Sequence, residues 1–400
     1  MTDSVRLKWL LTESDVRAGA ESEALPLLSV SISWGVRRRA ASDTTTRAAS
    51  EDLSNYKVCR AGDLVINRMR AFQGALGIAP EDGVVSPDYA VLRVDPRVDK
   101  RWLNYFLTSG FTVATMASLV RGIGGTDAGN VRTPRLNISD LQSMTAPLVS
   151  ADEQCAIADY LDRETARVDT LIEEQQRLIE MLRERREATI RSALLCGLDN
   201  AETVPSGVDL LGAVPKHWRM VPTRYLCTIT TGSEDSGNAT DGGEYPFYVR
   251  GREVLRIDHY SFDGEAVMTP GDGQGGTGKV FHYFDGKFEA HQRVYVFTNF
   301  TNVTGWYFYY FLSTFLRPVA LAGSNTVTME SLRRPLLADF KVAVPSIDEQ
   351  QRITAHLDDQ TARIDSLIAE AQRFIDLAWE RRSALISAAV AGKIDVREAA

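Results

Sequence analysis

"SADEQCAIADYLDRETARVDTLIEEQQRLIEMLRERREATIRSALLCGLD", residues 150–199, returns as "SIDEQQRITAHLDDQTARIDSLIAEAQRFIDLAWERRSALISAAVAGKID" at residues 346–395, displaced by 196 positions without a gap. The copies share Asp-Glu-Gln at 152–154 and 348–350, Thr-Ala-Arg at 165–167 and 361–363, and Glu-Arg-Arg at 184–186 and 380–382. About half of the aligned positions are identical, which marks a duplication. Neither copy contains proline, and glycine appears only near the end, at Gly197 and Gly392. Apolar residues recur at helical spacing: Ile157, Leu161, Val168, Leu171, Ile172, Ile179 and Leu182 in the first copy, and Ile353, Leu357, Ile364, Leu367, Ile368 and Ile375 in the second. A helix of that length extends about 65 Å, and its single apolar stripe needs a partner equally long. The other copy is that partner, so the pattern predicts an intramolecular antiparallel coiled coil. Antiparallel packing lets the two domain-to-helix junctions emerge at opposite ends. The competing arrangement has each helix packed only on its own domain.

A chain of 400 residues with 44% hydrophobic content reads as two or three soluble globular domains. No apolar run reaches membrane-spanning length and the first residues do not resemble a signal peptide, so a cytoplasmic location is expected. Cys59, Cys155, Cys196 and Cys227 are scattered, which favours reduced packing thiols over disulfides or a zinc site. The histidines show no ligand spacing, and no metal site is expected. Net charge is −8, yet residues 150–199 carry −5 and residues 346–395 carry −3. The remainder is neutral, which leaves room for local basic surfaces outside the helices. Arginine dominates those basic residues; a GC-rich genome would give the same bias.

The sequence divides as residues 1–149, a first domain; 150–199, the first long helix; 200–222, a linker and lead-in; 223–345, a second domain; and 346–400, the second long helix with a tail. Short β-type runs "LLSVSISWG" (27–35), "GDLVINRM" (62–69) and "DYAVLRVD" (88–95) precede an amphipathic helix at 101–109. The same order returns with "PFYVRG" (246–251), 264–284, "QRVYVFTN" (292–299) and an aromatic helix at 305–316. The fold class is α+β. Outside this order and a shared Tyr-Phe-Leu (105–107 and 310–312), the two domains have little identity.

Residues 273–279, "GQGGTGK", satisfy G-x-x-x-x-G-K. A phosphate-binding loop needs Ser or Thr after the lysine and a helix beyond it. Val280 follows instead, and "KVFHYF" alternates like a strand, so a hairpin or contact loop is the stronger reading. No methyltransferase, H-E-x-x-H or G-x-S-x-G signature is present, and no catalytic residue is assigned.

The repeated "DEQ...I...L......TARVD.LI" helix, the terminal "AVAGKID" (389–395), "LLGAVPKHW" (210–218) and "PLLADFKVAVP" (335–345) resemble the specificity subunits of type I restriction-modification systems. The resemblance spans nearly the whole chain. It implies two target-recognition domains, each contacting one half of a split double-stranded DNA sequence, with the helices separating them and docking two methyltransferase subunits. Restriction and translocase subunits complete the complex, and S-adenosylmethionine, ATP and Mg are implied on those partners, with no cofactor in this chain and no membrane partner. One departure stands out: the first domain opens at Val5-Arg6-Leu7 with no counterpart of Gly212–Trp218. A coiled-coil adaptor, or an NTPase using residues 273–279, is the alternative.

Arginine matches guanine, and Asn or Gln matches adenine, through paired hydrogen bonds, and such residues on polar loops flanking strands are the DNA-facing candidates. In the first domain these are Arg37, Arg38, Arg39, Asn67, Arg68, Arg70, Gln73, Thr126 and Arg132. In the second they are Arg250, Arg252, Gln274, Thr277, Lys279, His291, Gln292, Arg293, Ser324 and Asn325. Phe374 and Trp379, apolar residues outside the seam, are candidate partner-docking points.

Overall fold

The computed structural model describes residues 4–39, 52–120, 135–147, 149–272, 278–322, 331–394 and 396. In chain order the elements are β1 (Ser4–Arg6), β2 (Leu11–Ser14), β3 (Leu28–Ser31), β4 (Gly35–Arg38), β5 (Lys57–Cys59), β6 (Leu64–Asn67), β7 (Leu76–Ile78), β8 (Gly83–Val85), β9 (Tyr89–Val94), α1 (Lys100–Thr108), α2 (Gly110–Leu119), α3 (Ile138–Ser143), β10 (Thr145–Pro147) and α4 (Ala151–Cys196). They continue with β11 (Thr203–Pro205), β12 (Ala213–Pro215), β13 (Arg219–Pro222), β14 (Thr228–Thr231), β15 (Tyr245–Tyr248), β16 (Val254–Ile257), β17 (Phe262–Pro270), β18 (His282–Ala290), β19 (Val294–Thr298), α5 (Gly305–Ala322), α6 (Arg334–Asp339), β20 (Lys341–Val344) and α7 (Ile347–Val390). The chain forms two compact units, Met1–Gln176 with Arg373–Ala400, and Arg177–Gln372.

The first unit holds an antiparallel sheet in the order β2-β9-β6-β7. Leu64, Val65 and Ile66 of β6 are all buried, because α1 covers one face and the β3-β4 and β5-β8 pairs cover the other. An uninterrupted apolar run is what a strand buried on both sides requires. On α1, Trp102, Leu103, Phe106 and Leu107 turn inward, and Asp99 caps the helix by accepting hydrogen bonds from the Arg101 and Trp102 amides.

The second unit repeats the same four-strand order as β14-β19-β17-β18, extended by β15, parallel to β18, and β16. Helix α5 covers it with Tyr307, Phe308, Phe311, Leu312, Phe315 and Leu316, all buried. In both units a short strand precedes the sheet and pairs with the strand that leads into a long helix, β1 with β10 and β13 with β20.

The stretch 200–222, read from sequence as a linker and lead-in, is packed structure: β11 and β12 form a hairpin, and Leu211, Val214 and Trp218 join Ile190 and Leu194 of α4 in the core. The Trp218 indole Nε1 donates to Glu349 Oε1 at 3.0 Å. In the first unit, Ile394 and Val396, beyond α7, pack into the core.

In each unit the two long helices pack antiparallel. Ile157 and Leu161 of α4 share a core with Ile386, Ala389 and Val390 of α7 in the first unit, and Ile190 and Leu194 share one with Ile353 and Leu357 in the second. The buried positions Ile157, Leu161, Thr165, Val168, Ile172, Ile179 and Leu182 advance by three or four residues, or by seven, which is the coiled-coil spacing. Leu171 and Leu367, counted with the stripe in the sequence, lie off the seam and are 43% and 49% exposed. Arg382 Nε donates to Asp169 Oδ1 at 2.9 Å in the first unit, and Arg186 Nε donates to Asp365 Oδ1 at 2.9 Å in the second. Arg186 and Arg382 occupy equivalent positions of the repeat, as do Asp169 and Asp365, so the duplication supplies both ion pairs at once. Such exposed pairs contribute about 0–1 kcal/mol. Asp365→Ala is therefore expected to lower stability by no more than ~1 kcal/mol in urea denaturation; Leu357→Ala, at a fully buried position, should cost ~2–5 kcal/mol. Comparable losses would show that the ion pairs, not the apolar seam, hold the helices.

Candidate nucleic-acid interface

The duplicated residues attach each globular domain to its helix. Gln154 Oε1 accepts from the Asp99 amide at 2.8 Å, and its equivalent Gln350 accepts from the Thr304 amide at 2.9 Å. Both amides lie at the start of the helix that covers the sheet. Gln350 Nε2 also donates to the Asn302 and Pro345 carbonyls, and Gln154 Nε2 to that of Val149. The tyrosines of the two Tyr-Phe-Leu triplets, Tyr105 and Tyr310, donate to Asp162 and Asp358, each at 2.7 Å. Burial pushes the Tyr105 phenol up to about 12. These contacts fix the sheet to the helix and leave the opposite strand ends open.

At those ends in the second unit five segments converge. The Gly232 amide donates to Val294 O, Glu234 bridges His291, the His291 amide donates to Tyr248 O, the Gly271 amide donates to Arg293 O, and Leu332 returns to Gly271 O. Gly232 is required by this closeness, since a Cβ there would lie 1.8 Å from the Ala290 carbonyl oxygen. Asp272 organises the side chains. Its Oδ2 accepts from Arg293 at 2.9 Å, and its Oδ1, which has no hydrogen bond among the described residues, lies 3.8 Å from Arg250. Gln292 donates to Asp235 at 3.4 Å. His291 is buried; its Nδ1 accepts from the Arg293 amide at 3.0 Å, and burial holds its pKa below the ordinary imidazole value. With Nδ1 accepting, the ring proton sits on Nε2, 3.8 Å from Asp235. His291 thus supports the loop from beneath, while the heads of Arg250, Arg293 and Gln292 face solvent.

The other candidates are placed less uniformly. Arg252 and Lys279 are exposed on turns outside this cluster. In the first unit Arg37 stacks on Trp34 at 4.0 Å, Arg38 pairs with Glu81, and the Arg39 amide closes onto Leu27 O. Asn67 accepts locally from the Met69 amide, and Arg68, lowered in pKa by burial, donates to the Leu136 carbonyl at 3.3 Å. Arg70 and Gln73 are exposed on the turn that follows. Thr126, Arg132, Gln274, Thr277, Ser324 and Asn325 lie outside the described residues. Asp272 borders one of the segments outside the description and bridges Ser331, which borders another. The orienting carboxylates Asp272, Asp235 and Glu81 were missed in the sequence, where nothing marks an acidic residue as the holder of a distant arginine. Lys279 is followed by β18 rather than by a helix, the geometry a phosphate-binding loop would not have. Phe374 and Trp379 are both exposed on α7, with Arg382 5.8 Å from the Trp379 ring. No helix among the described residues is long and apolar enough to cross a membrane.

Each unit thus holds a sheet domain fixed to one of a duplicated pair of long helices, with arginine-bearing segments at the far strand ends. Residues 215–372 match the family model for the type I restriction modification DNA specificity domain. A curated relative, the type I restriction enzyme EcoDI specificity subunit of Escherichia coli, is 29% identical over 183 residues, covering 46% of this chain and 40% of the relative's length. Among solved structures, a chain from work on complex assembly and conformational transition of the type I R-M system superposes with a TM-score of 0.67 at 18% identity, covering 97% of both chains. The HsdS subunit from Thermoanaerobacter tengcongensis gives 0.55 at 16% identity, covering 98% of this chain and 97% of that one. The family model and the curated relative liken part of this chain to type I restriction-modification specificity subunits, and the two solved structures share its fold.

Proposed function

We propose that this chain is the DNA-recognition subunit of a type I restriction-modification complex, each globular domain reading one half of a bipartite double-stranded target while the long helices set the spacing and receive two methyltransferase subunits. The chain itself is non-catalytic in this reading and cytoplasmic. S-adenosylmethionine, ATP and Mg belong to the methyltransferase and the restriction and translocase subunits. The observation that carries the proposal is the repeated four-strand sheet, anchored by equivalent glutamines and tyrosines in both units yet bearing different polar side chains at its far ends. An identical scaffold with divergent faces suits two dissimilar half-sites.

Within the proposal, Arg250, Arg293 and Gln292 contact bases or phosphates in one half-site, and Arg37, Arg70 and Gln73 in the other. Phe374 and Trp379 are docking points for a methyltransferase subunit, since exposed aromatic residues of this size are characteristic anchors of protein interfaces. The test is retention of cognate duplex by the chain assembled with its methyltransferase. Arg293→Ala is expected to weaken binding by ~1–3 kcal/mol, the value of a good paired contact to one base, with the melting temperature unchanged. Undiminished affinity across Arg293→Ala, Arg250→Ala and Arg70→Ala would remove the site assignment.

A further inference from the structure

The two domains share one surface feature that their different half-sites do not explain. Val5 pairs with Ala146 and Val221 with Val342, each partner lying five residues before a long helix, so β1 and β13 occupy the same place in their units. The Leu7 amide donates to Met144 O at 2.8 Å and that of Thr223 to Phe340 O at 2.9 Å. Leu7-Lys8-Trp9-Leu10 and Thr223-Arg224-Tyr225-Leu226 are therefore the same 3-10 turn. In both, the leucine is buried and the aromatic ring before it points outward, 65% exposed for Trp9 and 65% for Tyr225. In both, the neighbouring cation lies over that ring, Lys8 at 4.8 Å and Arg224 at 5.1 Å, and Arg224 also pairs with Asp339 of its own unit.

A single exposed aromatic is ordinary. An aromatic with a stacked cation kept at one equivalent position of two diverged domains is different, because folding uses the adjacent leucine and leaves the ring idle. What such a ring serves must be the same at both domains: either the sugar-phosphate backbone or a protein present in two copies. Its place in the fold decides between them. Tyr225 stands before the first residue of β14, whereas the loop of Gly232 and Glu234 that meets His291 follows the last, about 13 Å further along at about 3.3 Å per residue. In the first unit Leu10 O accepts from the Asp95 amide beside the start of α1, at the end of β9 away from Tyr89 and Asn67. Both rings thus sit at the helix-anchored pole of their sheets, away from the loops that carry the DNA-facing candidates.

We infer that Trp9 and Tyr225 are two equivalent docking points for two copies of one protein partner, each ring entering an apolar pocket of that partner, with a carboxylate beside the pocket meeting Lys8. Trp, Tyr and Arg are the residues that most often dominate interface energetics. The inference rests on the two-methyltransferase partnership proposed above. It is tested by titrating the full-length chain with its methyltransferase and counting bound copies by native mass spectrometry. The wild-type chain takes two. Trp9→Ala and Tyr225→Ala each lower the affinity for one copy at least ten-fold, so that assembly stops at one copy where the wild type carries two, and Trp9→Phe and Tyr225→Trp restore the second. Lys8→Glu, which leaves the ring in place, weakens the same copy as Trp9→Ala. Two copies bound by the double alanine variant with undiminished affinity would overturn the inference while leaving the partnership intact. Intact assembly with weakened DNA binding would assign the rings to DNA and also overturn it. A wild-type chain that takes up no second copy would refute the partnership and the inference with it.

Discussion

Gln350→Leu is expected to destabilise the unit spanning Arg177–Gln372 by ~3–5 kcal/mol. Gln350 is fully buried, and its amide satisfies the Thr304 N–H and the Asn302 and Pro345 carbonyls. Leucine fills the volume and satisfies none of them, and each buried polar group left without a partner costs about 1–3 kcal/mol. In a unit of this size 1 kcal/mol corresponds to roughly 2–4 °C, so the melting transition should fall by roughly 6–20 °C. Gln154→Leu should be milder, because Gln154 makes two such bonds, to the Asp99 amide and the Val149 carbonyl. Calorimetry of both variants checks the order. A shift below ~2 °C for Gln350→Leu would mean that water or a neighbour replaces the amide, and that the Asp-Glu-Gln repeat is kept for another reason.

The second large effect concerns recognition. Arg250 and Arg293 converge on Asp272, whose carboxylate accepts a hydrogen bond from Arg293 and lies 3.8 Å from Arg250, so both guanidinium groups are drawn to this end of the sheet before any ligand arrives. Pre-oriented arginines lose less freedom on binding, so their contacts should count nearly in full. Removing both, as Arg250→Ala with Arg293→Ala, is expected to cost ~2–6 kcal/mol at the half-site read by this domain, which is ~30-fold to more than 10⁴-fold in discrimination. The other half-site should keep its sequence preference. Competition binding with duplexes altered in one half at a time separates the two, and equal loss at both halves would show that these arginines act through the backbone alone. Asp272→Asn, which keeps the volume but removes the charge, should reproduce a smaller part of the same loss.

How far the sequence carried this account differs by element. The long helices were legible because period, length and duplication all pointed one way, and the apolar seam follows from that periodicity alone. Leu171 and Leu367 were misplaced because one extra apolar residue beside a seam looks like part of it until the partner helix fixes which positions face inward. The common sheet order was hidden. Strand pairing joins residues far apart in sequence, as in Thr12 with Arg93 or Ile229 with Phe297, and few side chains outside the two long helices are shared, Tyr105 and Tyr310 among them. The 200–222 stretch read as a linker because Pro205, Gly207, Gly212 and Pro215 dominate it, while Leu211, Val214 and Trp218 pack into the core between those breakers. Arginine could be singled out as a candidate DNA ligand, but its partner carboxylate could not. Arg38 with Glu81 and Arg293 with Asp272 are contacts made by the fold, invisible to any local pattern.

The central claim, that two similarly built domains read two different halves of one split site, is tested most directly by mapping methylated bases in DNA from cells that carry this chain with its methyltransferase. The account predicts one bipartite sequence with a fixed gap. It also predicts that the paired Arg250→Ala and Arg293→Ala substitutions relax one half of that sequence and leave the other half and the gap unchanged. A single contiguous recognition sequence, or methylation without any fixed second half, would contradict it.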